Sequence, residues 1–431
     1  MPGKTPSATN KIAVIIAAAV GILLALLVVI NFTLGEKKVQ RDIPHLHSIH
    51  DEQFLRIMGV MMGPTIARGN RIEALLNGDQ IFPAMLQAIR SAKQSIMFET
   101  YIYWSGDIGR EFADALAERA RAGVRVHVLL DWVGSSKMDD EQIDAMREAG
   151  VEILKYRPLR WYHISRLNNR THRKLLIVDG RVGFTGGVGI ADKWKGNGQD
   201  PEHWRDSHFR VEGPVVSQMQ AVAMDNWMQT TGKVLHGTDY FPALEPAGTS
   251  PAQVFSSSPS GGSESMELMY LLAITASTKS IHLSNSYFVP NDLVIRALLG
   301  AVKRGVKVKI IVPGKHIDTE TVRRASRGRW GELLKAGVEI YEYQPTMFHC
   351  KVMIVDGLLV SVGSTNFDDR SFRLNDEANL NVYDEVFASK QQAIFEKDLQ
   401  QSRRITLEQW QSRPLWEKIV EHTLALASPL L

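Results

Sequence analysis

The chain is poor in cysteine. Cys350 is alone in 431 residues, so no intrachain disulfide can form and the thiol says nothing of the compartment. It stands between His349 and Lys351, where a small buried filler fits better than a reactive thiol. An excess of one charge is also missing. Fifty Lys and Arg meet 47 Asp and Glu, a formal net charge of +3. That suits an anionic surface as partner. It falls short of the dense basic stripe with interleaved aromatics that nucleic acid demands, so no nucleic-acid partner is expected. No His/Cys/carboxylate cluster has metal-ligand spacing, so neither a metal nor another cofactor is expected. The remainder, 44% hydrophobic and 23% charged, is ordinary globular composition, with length for about two to three domains.

Long hydrophobic runs are scarce too, but one exists. Ile12 to Leu34 carries no charged residue over 23 positions. As a helix it spans about 35 Å, enough for a bilayer core. It is too long for a signal-peptide core, and no small-residue cleavage pattern follows it. A single transmembrane helix within 1–40 is therefore expected, with a connecting segment over 41–69. Lys4 and Lys11 before the run, and Lys37, Lys38 and Arg41 after it, leave its orientation undecided.

From about Asn70 helical and strand patterns alternate. "FPAMLQAIRSAKQ" has helical spacing, "SIMFETYIYW" reads as a strand, "GREFADALAERARAG" as a helix closed by Gly123, and "VRVHVLLDW" as a strand. Such alternation predicts an α/β layered fold. The succession then recurs. Gly123-Val-Arg-Val-His-Val is echoed by Gly305-Val-Lys-Val-Lys-Ile, and Ala149-Gly-Val-Glu-Ile by Ala336-Gly-Val-Glu-Ile, at offsets of 182 and 187 residues. A repeat of that length is a duplicated domain. The halves are placed at 70–240 and 254–401. A Pro/Gly/Ser-rich linker lies at 241–253, and a C-terminal amphipathic segment at 402–431.

Each half carries one unusual stretch. "THRKLLIVDGRVGFTGGVGIADKW" runs from Thr171, and "FHCKVMIVDGLLVSVGSTNFDDRSF" from Phe348. His172, Lys174 and Asp179 share their spacing with His349, Lys351 and Asp356, and Gly186-Gly187 and Gly363-Ser364 follow seven residues later. In a strand, residues two apart share a face, so each His points with its Lys. If the halves meet about a pseudo-two-fold axis, two His and two Lys converge. That set suits transfer at a phosphodiester. Lysines neutralise the non-bridging oxygens, one imidazole attacks phosphorus, and the other protonates the leaving alkoxide and deprotonates the incoming hydroxyl. Glu377 and Asp206 are candidates to hold the far ring nitrogens. Asn366, Ser364 and Gly187, which occupies the place of Ser364 in the first copy, are candidates at the phosphate oxygens. Asp179 and Asp356 are catalytic candidates by their repetition. Each also suits a plain turn role, at a strand end before Gly.

His-x-Lys-x4-Asp-x6-Gly-Ser-x-Asn, matched at every position by the second copy and in part by the first, resembles the signature of the phospholipase D superfamily. "LNNRTHRKLLIVDGRVGFTGGVGIADKW", "SYFVPND" and "FDDRSFRLNDE" look like its bacterial cardiolipin synthase branch. The resemblance covers nearly the whole chain after the hydrophobic run. It implies a pair of α/β/α sandwich domains sharing one site. It also implies phosphatidyl transfer from phosphatidylglycerol to another lipid's hydroxyl through a phosphohistidine, with His172 as nucleophile and His349 as acid/base. A bacterial inner membrane is implied as the location. Hydrolysis by a phospholipase D or phosphodiesterase would use the same residues. Two departures stand out: Gly189 replaces the motif's Asn in the first copy, and one hydrophobic run is present where many members of the branch carry two.

Two further features bear on lipid. Arg157, Arg160, Arg166 and Arg170 beside Trp161 and Tyr162 suit either a headgroup entrance or a solvated loop. Trp410, Leu415, Trp416, Ile419, Val420, Leu424 and Leu426 suit either an interfacial helix or one packed on the domain.

Overall fold

The structure, a computed structural model, describes residues 8–33, 39, 41–158, 169–259 and 266–426. The first half contributes strands β1 (Ala67–Leu76), β2 (Ser95–Thr100), β3 (Arg125–Asp131), β4 (Glu152–Tyr156), β5 (Leu175–Val178), β6 (Val182–Gly186) and β7 (Ser207–Glu212). The second contributes β8 (Ser250–Ser257), β9 (Ser280–Asn285), β10 (Lys307–Pro313), β11 (Glu339–Tyr343), β12 (Lys351–Val355), β13 (Leu359–Gly363), β14 (Glu377–Tyr383) and β15 (Ser402–Ile405). All belong to one sheet, in the order β4-β3-β2-β5-β6-β7-β1-β8-β14-β13-β12-β9-β10-β11-β15. The halves join where β1 pairs antiparallel with β8, Ala67 opposite Ala252. Outward from that seam the strand order of one half repeats in the other, and β15 adds one edge strand.

Within each half, three strands run parallel, β2-β3-β4 and β9-β10-β11. Sequence explains why they sit at depth. β2 is buried along its whole length and β3 along all but its first residue, as expected of strands covered on both faces. The outer face of the first half is covered by helices Asn77–Ser91, Asp107–Arg121 and Asp140–Glu148, packed through Phe82, Phe112, Leu116 and Ile143. Helices Met266–Ala276, Asp292–Lys303 and Gly331–Ala336 do the same for the second half through Ile274, Leu298 and Leu333. A third cluster is shared. Ile177, Phe209 and Trp227 from the first half pack with Ile311, Ile354, Leu380 and Phe387 from the second. The two domains are thus fused through a hydrophobic core.

Three expectations change. The segment 41–69 contains the helix Glu52–Met61, capped by Asp51, and buries Phe54, Met58 and Met62 in the core of the second half. β8 begins inside the stretch read as linker. The single transmembrane helix is not supported: among the described residues no helix is long and apolar enough to cross a membrane. Ala8–Thr33 is helical, and its described apolar side chains, Ile12 to Leu26, stand exposed.

Candidate active site

Each His-x-Lys lies at the start of a strand that its own half pairs antiparallel with β2 or β9. The residues just before it cross to the other half. Thr171 bridges Asp376, and Arg205 bridges Phe348. The His172 amide donates to the Asp376 carbonyl (2.9 Å) and the His349 amide to the Arg205 carbonyl (2.8 Å). Asp376 and Arg205 each precede a carboxylate, so the stitching delivers an acid from one half to the histidine of the other.

Glu377 carboxylate oxygens lie 3.0 and 3.1 Å from His172 Nδ1, and Asp206 Oδ2 lies 2.8 Å from His349 Nδ1. Both acids are fully buried. Burial alone would raise the Glu377 pKa, but His172, Lys174 and Ser364 hold it down to about 2. Asp206 is likewise lowered against its burial by His349 and Lys351. Burial also holds His172 down to about 4 and lowers His349, with the neighbouring lysines adding to it. Each ring is therefore a neutral imidazole donating Nδ1–H to a carboxylate, which leaves Nε2 as the basic nitrogen; Lys351 Nζ lies 3.3 Å from His349 Nε2.

The lysines hold this frame. Lys174 Nζ donates to the His172 carbonyl (2.7 Å), and Lys351 Nζ to the His349 carbonyl (2.9 Å) and the Ser286 hydroxyl (2.7 Å). Burial, with Lys351 next, brings Lys174 down to about 7. His172, Lys174, His349 and Asn366 line one cavity of about 270 Å³ with Tyr101, Trp194, Trp204, Asp318 and Arg370.

The halves are not equal. Asn366 accepts from Ser286 (2.7 Å), which in turn takes the Lys351 ammonium. At the matching places the first half has Gly189 and Tyr101, and Lys174 lies over the Tyr101 ring at 5.6 Å. A side chain at Gly189 would collide with Ile102, 2.8 Å from the Cβ position, so that half has no room for a polar group there. Ser364, Gly187 and Lys351 do not line the cavity; Ser364 donates to Glu377. Gly187 leaves space for Asp206, whose Oδ1 would lie 2.2 Å from a Cβ. Where Ser364 bonds Glu377, Asp206 has Trp194, whose indole N–H donates to it at 2.9 Å.

Asp179 and Asp356 are corrected as well, since both lie outside the cavity. Each opens a hairpin at φ 53° and 52°, followed by a left-handed Gly. Asp179 accepts from the amides of Lys93, Gln94 and Ser95, and Asp356 from those of Thr278, Lys279 and Ser280. They repeat because the fold repeats.

Of the basic loop, Arg170 is buried, lines the cavity and lies 3.8 Å from Asp131; Arg160, Trp161, Tyr162 and Arg166 lie outside the described residues. Among the described residues no group of three or more His, Cys, Asp or Glu could hold a metal ion. Sequence reading missed Trp194 and Trp204, whose rings lie 5.4 and 5.5 Å from His349. It also missed Tyr101, Asp318 and Arg370. None carries a spacing signal; they meet only in space.

A duplicated α/β fold in which two His-Lys pairs exchange buried carboxylates defines a protein of the phospholipase D-like class. The solved phosphatidylserine synthase of Haemophilus influenzae Rd KW20 shares that fold at TM-score 0.60 and 14% identity, over 84% of this chain and 95% of that one. Relatives in sequence are more specific. A family model described as "Cardiolipin synthase, PLD-like domain" matches residues 85–197 and 270–399. Cardiolipin synthase 2 of Bacillus anthracis is 36% identical over 385 residues, 89% of this chain and 75% of that protein. A cardiolipin synthase of Geobacillus kaustophilus is 35% identical over 385 residues, 89% of this chain and 76% of that one. The chain belongs to the cardiolipin synthase family.

Proposed function

We propose that the protein transfers the phosphatidyl group of one phosphatidylglycerol to the free hydroxyl of a second, giving cardiolipin and glycerol. The observation that carries this is the crossed pair of hydrogen bonds, His172 to Glu377 and His349 to Asp206, around one cavity. His172 Nε2 attacks phosphorus while its Nδ1–H stays on Glu377. The bond from phosphorus to the glycerol oxygen breaks, and His349 gives that oxygen a proton. The second lipid's hydroxyl then loses its proton to His349 and attacks. The phosphorus–nitrogen bond breaks and His172 is restored. The buried lysines, with Asn366 on the His349 side, offset the charge on the phosphoryl oxygens. A bound phosphodiester, being anionic, raises the His349 pKa from its buried value, which lets the ring carry the proton it donates.

Asp318 supports a polyol headgroup. It lines the cavity with its carboxylate hydrogen-bonded by the Tyr287 hydroxyl at 2.7 Å. A carboxylate repels phosphate but accepts bonds from glycerol hydroxyls. Lipid as the medium is supported by the exposed apolar side chains of the helix Ala8–Thr33, and a bacterial inner (plasma) membrane is the location this reading implies. The test is to supply phosphatidylglycerol vesicles and follow cardiolipin and glycerol. Equimolar release of both is expected. Phosphatidic acid accumulating without cardiolipin would replace transfer by hydrolysis.

A further inference from the structure

The C-terminal helix Leu415–Leu426 is turned inside out. Its two acids point at the protein: Glu421, 2% exposed, pairs with Arg413 and Arg327, and Glu417 also reaches Arg327 (3.7 Å). Gly328 lets the helix come close, for a Cβ there would lie 2.6 Å from the Glu421 carbonyl. Leu424 and Ala425 pack inward, but four large apolar residues point away. Leu415, Trp416, Ile419 and Leu426 are 73, 57, 59 and 69% exposed. Steps of three and four residues put them on one face with His422 and Thr423. Thr423 returns its hydroxyl to the Ile419 carbonyl (2.9 Å). In water the opposite orientation is favoured, since each exposed apolar side chain forgoes about 1.5–3 kcal/mol of burial.

The helix also lies one layer from the active site. Its Leu424 packs on Val289, Val322 and Ala325, and Val289 and Val322 line the catalytic cavity. A helix of 12 residues is about 18 Å long and 10 Å wide, so its outer face covers about 180 Å². That is far below the roughly 800 Å² per partner of a stable protein interface. A bilayer has no such threshold, because it takes up apolar residues one at a time.

We propose that the outer face of Leu415–Leu426 docks on a lipid bilayer and holds the cavity mouth at the surface from which the substrate enters. Trp416 sits at headgroup level, and Leu415, Ile419 and Leu426 enter the acyl boundary. This rests on the lipid-transfer reading above, and the experiment separates the two.

Two measurements on the full-length protein test it. In the first, Ile419→Cys carries a polarity-sensitive dye, Cys350 being buried, with Glu141→Cys labelled as control. Vesicles of phosphatidylglycerol and phosphatidylcholine should blue-shift the dye at 419 and leave it unchanged at 141. A dye at 419 that stays in water while the protein is on vesicles would overturn the proposal. So would a blue shift without lipid that grows with protein concentration, which would assign the face to a second copy. In the second, Trp416→Ser/Ile419→Ser should lower transfer on vesicles about 10-fold or more, and leave transfer between dispersed short-chain phosphatidylglycerols unchanged. Equal loss on both substrates, or no loss on vesicles, overturns docking. If the unsubstituted protein transfers nothing on either substrate, the transfer reading fails, and the dye still decides where the helix lies.

Discussion

Replacing Glu377 by Gln tests the exchange of acids between the halves. The side chain is fully buried and both its oxygens face His172 Nδ1 at 3.0 and 3.1 Å. The substitution keeps shape and burial but removes the charge. When His172 bonds to phosphorus its ring becomes cationic, so the carboxylate serves the transition state more than the ground state. A hydrogen bond to a charged group contributes about 1.5–3 kcal/mol, which converts to a fall in kcat of about 10- to 150-fold. KM should move little, because the cavity wall is unchanged. The pH profile adds a second readout. Glu377 raises the His172 pKa against a burial that has brought it to about 4. Its loss therefore lowers that pKa further, and the acid limb set by His172 moves to lower pH. Steady-state transfer in mixed micelles from pH 3 to 8, with rapid-quench trapping of phosphohistidine, measures all three. A kcat within threefold of the parent, or a loss confined to KM, would refute the role given to the pair.

Three other outcomes follow from the same geometry. His349→Ala should retain one turnover on a phosphatidyl p-nitrophenyl ester, whose leaving group needs no proton, and then stall with the lipid on His172. A burst in His172→Ala instead would exchange the two roles. Asp179→Ala and Asp356→Ala each strip the acceptor from several backbone amides. Each should cost about 1–3 kcal/mol of stability with kcat nearly unchanged; an active-site role would show as lost kcat in a fully folded protein. His208 is fully buried, and burial holds its pKa at about 4 against 6.5. The unfolded chain takes up that proton first, so its contribution to stability is lost as pH falls from 6.5 to 4, by about 3 kcal/mol in all. His208→Gln should flatten urea-unfolding midpoints across that window, and an unchanged slope would refute it.

The duplicated fold was legible because buried parallel strands and amphipathic helices write their period into the chain, and because two copies check each other. His172, Lys174, His349 and Lys351 were legible by the same repetition. Repetition misled at Asp179 and Asp356: a hairpin that needs a left-handed residue and an amide acceptor repeats as faithfully as a catalytic group. Ser364 and Gly187 differ between the halves because they support different acids. Trp194, Trp204, Asp318 and Tyr287 left no mark in sequence, since residues far apart in the chain share no period.

What the sequence alone determined is local and repeated: the strand and helix order, the paired His-x-Lys motifs, the identity of the two acids, and the family. Only the tertiary structure decided who serves whom. Glu377 goes to His172 and Asp206 to His349 because β1 and β8 fuse the halves and the strand leads cross between them. It also decided which way the last helix faces. Periodicity yields a stripe of apolar residues but not its direction, and here the ion pairs to Arg327 and Arg413 turn the charged side inward.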